Sequence, residues 1–176
     1  IYTLSLHDAL PIWRLGISHI NALRGEAELL FQRRSEAGGH GLILGGGGLA
    51  AGVASLAKLL NPNVKVIGVE PAGANCMQES LKAGKVVTLD KVNTIADGTA
   101  VKTPGSGIFP YIQANIDEIL TVGDEELVTA FLDMVENHKM IVENSGLLTV
   151  AALKHLDVRN KRVAAILSGG NMDVIT

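Results

Sequence analysis

Four consecutive glycines, Gly45, Gly46, Gly47 and Gly48, form the motif with the clearest chemical meaning in this sequence. They follow a short apolar run, residues 41–44, and precede an alanine-rich helical pattern over residues 49–60. The first amides of a helix have no partners within the helix, and the helix dipole adds positive potential there. Residues without a Cβ let the backbone close around an anion. This position between strand and helix predicts a phosphate-binding loop and favours it over a flexible linker.

The identity of the bound ligand stays open from this motif alone. No Lys-Ser or Lys-Thr follows the glycines, so the loop differs from the phosphate loop of ATP-binding proteins. Residues 46–51 fit a loose Gly-x-Gly-x-x-Ala dinucleotide fingerprint. Glu70 ends the next apolar run, where a ribose-binding acid would stand. A nicotinamide-dependent enzyme is therefore one alternative.

The glycine loop belongs to a regular alternation of apolar runs and helical patterns. Strands are predicted at residues 41–44, 64–69, 86–89, 118–122, 139–142 and 162–167, and helices at residues 49–60, 74–83, 108–115, 123–138 and 146–156. Strands that alternate with helices predict an α/β fold, with an open, mostly parallel twisted sheet and helices on both faces. Ligands of such sheets bind beyond the carboxyl ends of the strands, where the glycines follow the first one.

Composition limits the classes of protein that fit. The chain has 176 residues, of which 47% are hydrophobic and 3% aromatic, and its formal net charge is -3. These values favour a globular domain over a disordered chain and argue against nucleic-acid binding. No apolar stretch reaches the ~20 residues of a membrane span. Cys76 is the single cysteine, so no internal disulfide can form and a cytoplasmic location is expected.

The first forty residues do not continue the alternation. Residues 1–12 begin without Met, and part of this stretch can be back-translated to a common sequencing adapter, so we interpret it as a sequencing artefact. Residues 13–40 are a junction of unassigned origin, partly helical because Leu23, Ala27 and Leu30 share a helical face. Residues 41–176 are predicted to form the ligand-binding unit.

Four motifs together resemble those of the threonine dehydratase family. They are Gly45-Gly46-Gly47-Gly48-Leu49, Thr94-Ile95-Ala96-Asp97-Gly98, Val142-Glu143-Asn144-Ser145-Gly146 and Ser168-Gly169-Gly170-Asn171, in the order and spacing of that family. The family includes threonine ammonia-lyases, serine dehydratases and serine racemases. The resemblance covers residues 41–176 and implies part of the large domain of a fold-type II enzyme, the tryptophan-synthase-β type. It implies pyridoxal 5'-phosphate (PLP) as the cofactor.

The resemblance also implies roles for residues at matching positions. The backbone amides from Gly45 to Leu49 would hold the PLP phosphate, and Ser168 would hydrogen-bond the pyridine nitrogen, with turn formation as its alternative. A hydroxyl does not give that nitrogen a full proton, which would favour β-elimination over transamination. Glu143 would face the ring, with helix capping as an equal alternative. Asp97 and Gly98 would line the pocket, with a plain turn as the alternative.

A metal site is not expected from this sequence. Some relatives bind a divalent cation through an acid at the position of Glu70, a carbonyl at that of Ala74 and an acid two residues later. Cys76 stands at the last position here, and hard cations prefer oxygen ligands. Glu70 and Ala74 are therefore only weak candidates, and Cys76 is expected to be buried as a small apolar residue.

The resemblance implies that the parent protein is a threonine ammonia-lyase. It would convert L-threonine, or serine, to a 2-oxo acid and ammonia, and would act as a homo-oligomer without membrane or nucleic-acid partners. The Schiff-base lysine of the family stands in a Ser-x-Lys-x-Arg-Gly context that none of the nine lysines here shares. We therefore expect a truncated chain that is inactive alone. The alternatives are a serine racemase or serine dehydratase relative, and a non-catalytic phosphate- or dinucleotide-binding domain.

Overall fold

A parallel β-sheet organises the structure, a computed structural model that describes residues 2–5, 40–45 and 47–170. Its strands, numbered in chain order, are β1 Tyr2–Ser5, β2 His40–Gly45, β3 Lys65–Pro71, β4 Glu118–Val122 and β5 Arg162–Leu167. Their spatial order is β1-β5-β2-β3-β4, and each neighbouring pair is parallel. Parallel neighbours need crossover connections, and helices supply them here.

The described residues contain five α-helices. They are α1 Gly47–Leu60, α2 Cys76–Ala83, α3 Phe109–Asn115, α4 Asp124–Asp133 and α5 Asn144–Ala152. Short 3-10 turns cover Ala72–Ala74, Asp97–Thr99 and Leu153–His155, and a π-helical turn, Met134–His138, continues α4. None of these helices is long and apolar enough to cross a bilayer.

Helices cover both faces of the sheet. Successive side chains of a strand point to opposite faces, so each face offers apolar residues against which helices pack. In β5, Ala164 and Ile166 belong to an apolar cluster with residues of α1 and α3. Ala165 and Leu167 belong to a second cluster with residues of α4 and α5. The predicted architecture, an open parallel sheet with helices on both faces, is therefore confirmed.

The strand predicted at residues 86–89 is wrong. These residues run through the long connection between α2 and α3. The amide of Val87 donates to Ser80 Oγ at 2.9 Å, and that of Leu89 donates to Lys102 O at 2.9 Å. The run is apolar because Val86 packs against the cluster that includes α1.

The strand predicted at residues 139–142 is also wrong. Lys139 ends the π-helical turn with a left-handed φ of 56°, and the amide of Met140 donates back to Met134 O at 3.1 Å. The segment then leads directly into α5. Val142 lies in this connection and its side chain is buried, whereas the side chain of Ile141 is 63% exposed. The apolar run therefore does not indicate a buried strand.

Strand β1 lies inside residues 1–12. Its backbone pairs with β5 in the register Tyr2 to Ala164 through Ser5 to Leu167. Backbone pairing does not report where a segment comes from, so the interpretation of residues 1–12 as an artefact stays a prediction. The helix predicted from Leu23, Ala27 and Leu30 lies outside the described residues.

Asp117 ties α1 to β3 at the amino-terminal edge of the sheet. Its Oδ2 accepts a hydrogen bond from the Val66 amide at 2.6 Å and one from Lys58 Nζ at 2.7 Å. Burial acts to raise the pKa of Asp117, but the hydrogen bonds from Lys58 and Val66 outweigh it and hold that pKa below its ordinary value.

We expect the free energy of unfolding to depend less on pH in the acid range after the substitution Asp117→Asn. A carboxyl whose folded pKa is depressed stabilises the fold above its unfolded pKa, and this contribution is lost as the pH falls through the folded pKa. The urea midpoint of the unsubstituted chain should therefore drop more on acidification than that of Asp117→Asn. The exposed Asp90→Asn is the control and should keep the original slope. Equal slopes for both variants would contradict the prediction.

Candidate functional site

Predicted site residues follow the carboxyl ends of three strands, β2, β3 and β5. They therefore lie at the same end of the sheet, which is called its carboxyl edge. In the register, Gly45 pairs with Val69, the residue before Glu70. β2 is also the neighbour of β5, which ends immediately before Ser168. Gly45 closes β2, Gly47 begins α1, and Gly46 between them lies outside the described residues.

An open cavity of about 280 Å³ lies beside the first turn of α1. Gly47 and Gly48 line one part of it, and Gly98 and Thr99 line another. A Cβ at Gly48 would meet nothing within 4 Å, whereas a Cβ at Gly47 would stand 2.9 Å from Ile108 Cδ1. Free space next to the amides of a helix start is what a phosphate requires. The residues present therefore fit a phosphorylated cofactor.

Glu143 packs against the turn that begins at Ser168. Its amide donates to Gly169 O at 3.3 Å, and a Cβ at Gly169 would overlap the Glu143 carboxyl group. Gly169 has a φ of 86°, so glycine is required there by both the backbone and the contact. In addition, Gly146 packs on the Ser168 carbonyl. The Glu143 and Ser168 motifs therefore form one packed unit.

The Glu143 side chain does not cap α5. The start of that helix carries no side-chain capping bond. The amides of Gly146 and Leu147 instead donate to the backbone oxygen of Glu143, at 2.9 and 3.1 Å. The predicted alternative of helix capping is therefore wrong, and the Glu143 carboxyl group is left available for another role.

The motif from Thr94 to Gly98 reaches the same place. A Cβ at Gly98 would lie 2.9 Å from Ser145 Oγ and 3.8 Å from Glu143 Oε1. Burial, followed by the charge of Asp97, raises the pKa of Glu143 above its ordinary value. Three of the four motifs thus meet around Glu143. Asp97 also begins a 3-10 turn, which agrees with the alternative prediction of a turn at Asp97 and Gly98.

Ser145 is a feature of this site that sequence analysis missed. It is 5% exposed, and its hydroxyl has no hydrogen-bond partner in the described part of the chain. Buried polar groups in proteins are rarely left without a partner. From sequence, a serine at a helix start signals capping, so the motif gave no indication of a buried and unsatisfied hydroxyl.

The Glu70 carboxylate accepts hydrogen bonds from the first turn of α2. Its Oε1 accepts from the Met77 amide at 2.9 Å and its Oε2 from the Gln78 amide at 2.8 Å. Burial nevertheless raises the pKa of Glu70, against the lowering by these two bonds. Both oxygens are therefore occupied by the helix. Over the described ranges, no group of three or more His, Cys, Asp and Glu is arranged to hold a metal ion.

The predicted burial of Cys76 is confirmed, because the residue is 1% exposed. Its Sγ lies 3.9 Å from Glu70 Oε1. Burial, with the neighbouring Glu70 charge, raises the pKa of the Cys76 thiol to about 11, so the thiol stays protonated at neutral pH. Ala74, the other weak metal candidate, is also buried.

Comparison with known proteins identifies the family. Residues 41–169 match the family described as pyridoxal-phosphate dependent enzyme. The L-threonine ammonia-lyase of Thermotoga maritima is 43% identical over 132 residues, which make up 74% of this chain and 33% of the relative. The solved threonine deaminase of T.th. has a TM-score of 0.76 at 37% identity, over 89% of this chain and 60% of that one. Maize serine racemase has a TM-score of 0.75 at 32% identity, over 88% and 49%.

These matches cover most of this chain but only part of each relative. The chain spans one third of the length of the curated ammonia-lyase that it matches. The resemblance to the threonine dehydratase family is confirmed, and the fold is that of the solved threonine deaminase and serine racemase. This chain therefore belongs to the family of pyridoxal-phosphate dependent enzymes.

Proposed function

We propose that this chain is part of an L-threonine ammonia-lyase, a cytoplasmic homo-oligomer that converts threonine or serine to a 2-oxo acid and ammonia. The observation that carries the proposal is the meeting of Glu143, Gly98 and the Ser168–Gly169 turn at the sheet edge where the glycine loop also lies. Similarity to proteins named threonine ammonia-lyase and threonine deaminase supports the choice of reaction.

The glycine loop would hold the cofactor by its phosphate. The amides from Gly45 to Leu49 would bind the phosphate oxygens, and the free space beside Gly48 at the start of α1 leaves room for them. When bound, PLP withdraws electrons from the Cα of an amino acid, which is the chemistry that elimination needs. Ser168, at the end of β5, would hydrogen-bond the ring nitrogen without transferring a full proton to it.

Glu143 would keep that ring nitrogen neutral. Burial and the Asp97 charge favour the protonated form of its carboxyl group. A negative carboxylate at this position would attract a proton onto the ring, whereas a neutral one does not. A neutral ring withdraws electrons less strongly and favours loss of the β-hydroxyl over transamination.

A serine racemase relative is the second candidate function, supported by the similarity to maize serine racemase. Both candidates would use the phosphate loop, Ser168 and Glu143 in the same way, so substitutions of these residues would not separate them. The product does: incubation of the parent enzyme with L-serine would give D-serine for a racemase and pyruvate with ammonia for a lyase.

Binding of pyridoxamine 5'-phosphate tests the proposed cofactor site. This ligand has the ring and phosphate of PLP but no aldehyde, so it does not react with surface lysines. We expect Gly48→Asp to weaken its binding tenfold or more, because like charges ~4 Å apart near a protein surface repel by roughly 4 kcal/mol. Isothermal titration calorimetry would measure the dissociation constants.

Gly52→Asp is the matched control for this experiment. Gly52 is also in α1, and a Cβ there would likewise meet nothing within 4 Å, but Gly52 does not line the cavity. It should bind pyridoxamine phosphate within about twofold of the unsubstituted chain, because exposed charges are screened. Equal loss in both variants would contradict the placement of the phosphate. Binding of NAD but not of pyridoxamine phosphate would favour the dinucleotide-binding alternative.

A further inference from the structure

The loop from Thr94 to Gly98 is fastened by a residue outside the four motifs. Thr94 Oγ1 donates to Asp124 Oδ1 at 2.6 Å, and the amide of Ile95 donates to Asp124 Oδ2 at 3.2 Å. Asp124 is the first residue of α4. One carboxylate therefore binds two consecutive residues of the loop.

The same loop is also fastened from α5. Asn144, which directly follows Glu143, donates from Nδ2 to Ile95 O at 3.0 Å. The N–H and the C=O of Ile95 are thus both bound by side chains at the starts of two helices. The Ile95 side chain itself is 40% exposed. Polar contacts to its backbone, and not burial of its side chain, hold this residue in place.

The fastened residues determine where the end of the loop lies. Ala96 follows, buried in the apolar cluster of α4 and α5, and its amide donates to Thr94 Oγ1 at 3.2 Å. Gly98 then lies beside the Ser145 hydroxyl and the Glu143 carboxyl group, and the charge of the preceding Asp97 acts on Glu143. A shift at Thr94 or Ile95 would therefore move Asp97 and Gly98 relative to Glu143.

We propose that Asp124 and Asn144 are positioning residues that act through Thr94 and Ile95 to hold Asp97 and Gly98 against Glu143. The hydrogen bonds of Asp124 and Asn144 to the loop are observed in the structure. Their importance for catalysis rests on the proposed function. Neither residue would touch cofactor or substrate. Their effect would reach the site through the position of Asp97 and Gly98 beside the Glu143 carboxyl group.

The surroundings of Glu143 make the titration midpoint of its carboxyl group a usable reporter of the loop position. The turn Asp97–Thr99 sets the charge of Asp97 against this carboxyl group. The strand-end turn contributes the uncharged Ser168 and Gly169, and α5 contributes the uncharged Asn144 and Ser145. Release of the loop would withdraw the Asp97 charge and admit water. Both changes lower the pKa of Glu143 toward its ordinary value.

The test is a carbon-13 NMR titration of the Glu143 carboxyl group in the full chain. Thr94→Val removes the hydroxyl that binds Asp124, whereas Thr94→Ser keeps it. We expect the Glu143 midpoint to fall in Thr94→Val and in Asn144→Ala, and to stay unchanged in Thr94→Ser. Thr129→Val is the control, because it removes only an exposed bond from Thr129 Oγ1 to Glu125 O within α4, and it should leave the midpoint unchanged.

Three results would overturn the proposal. The first is an unchanged midpoint in folded Thr94→Val and Asn144→Ala, and the second is an equal fall in Thr94→Ser. The third is an unchanged midpoint in Asp97→Asn, an exposed substitution that does not depend on repacking, because Asp97 would then have no effect on Glu143. The titration needs no cofactor. Failure to bind pyridoxamine phosphate would therefore count against the proposed function and not against this positioning role.

Discussion

Replacing Gly146 with alanine is expected to lower the free energy of unfolding by about 1–3 kcal/mol, the usual cost of overpacking. Gly146 is the third residue of α5. A Cβ there would overlap the carbonyl oxygen of Ser168 and stand 2.8 Å from Val142 Cγ1. The carbonyl is main chain at the end of β5, so it cannot turn aside as a flexible side chain would. Alanine must displace the helix start or the strand end.

Gly52→Ala provides the matched control. It is the same substitution in a helix, but its Cβ would meet nothing within 4 Å. Alanine is favoured over glycine in a helix interior, so Gly52→Ala should stabilise the chain by roughly 0.5–1 kcal/mol. Urea unfolding of both variants would measure the opposite signs. Unchanged stability of Gly146→Ala would mean that α5 does not press on Ser168.

The same substitution connects packing to the proposed site. Because Gly146 lies on the Ser168 carbonyl, the displacement in Gly146→Ala would also move the Ser168 hydroxyl. Pyridoxamine phosphate should then bind more weakly to the folded fraction of Gly146→Ala, whereas Gly52→Ala should bind it normally. The glycine of this motif is thus needed for close packing of a helix on a strand end.

Apolar runs predicted the sheet well where the run crosses the core. The bounds of β4 and β5 agree with the predicted strands at residues 118–122 and 162–167. In β5, for example, both faces are covered by helices, so its sequence is continuously apolar after Arg162. Residues 86–89 and 139–142 have similar composition, but they pack only one or two side chains on the core from a connection. A short apolar run does not distinguish these two situations.

The candidate site residues could be named from the sequence only where a motif contains them, and their roles stay predictions. The glycine loop, Glu143 and Ser168 all belong to recognisable motifs. The strand order brings the glycine loop and Ser168 together, and the packing of Glu143 on Gly169 adds Glu143 to them. The bonds of Asp124 and Asn144 were not predictable, because they join residues 30 and 49 positions apart in the chain. An acid at the start of a helix is normally explained by the helix dipole. Nothing in the sequence indicates that the Asp124 carboxylate instead binds a distant loop.

The largest effect on activity is expected from the Schiff-base lysine that the family resemblance implies. The family resemblance implies a lysine in a Ser-x-Lys-x-Arg-Gly context, which would bond covalently to the cofactor and move the α-proton of the substrate. None of the nine lysines has that context. Lys58 and Lys65 instead pair with Asp117 and Glu118, at the edge of the sheet opposite to the glycine loop.

We expect the chain as printed to release no 2-oxobutanoate from L-threonine above background, even when PLP is supplied. Sequencing the source DNA across the codons before Gly41 would show whether a Ser-x-Lys-x-Arg-Gly segment precedes the glycine loop. A protein that includes such a segment should exceed the printed chain by at least about a thousandfold in rate, because its lysine would act as both nucleophile and general base.

Two controls separate the lysine from the rest of the site. Substitution of that lysine by alanine in the longer protein should return the rate to background and leave pyridoxamine phosphate binding intact, because the phosphate loop and Ser168 are unchanged. In contrast, Gly48→Asp in the longer protein should weaken cofactor binding first. If the printed chain itself releases 2-oxobutanoate, another of its groups performs the proton transfer, and the expectation that it is inactive is wrong. Glu143, the half-buried acid beside Ser168, would then be the first residue to substitute.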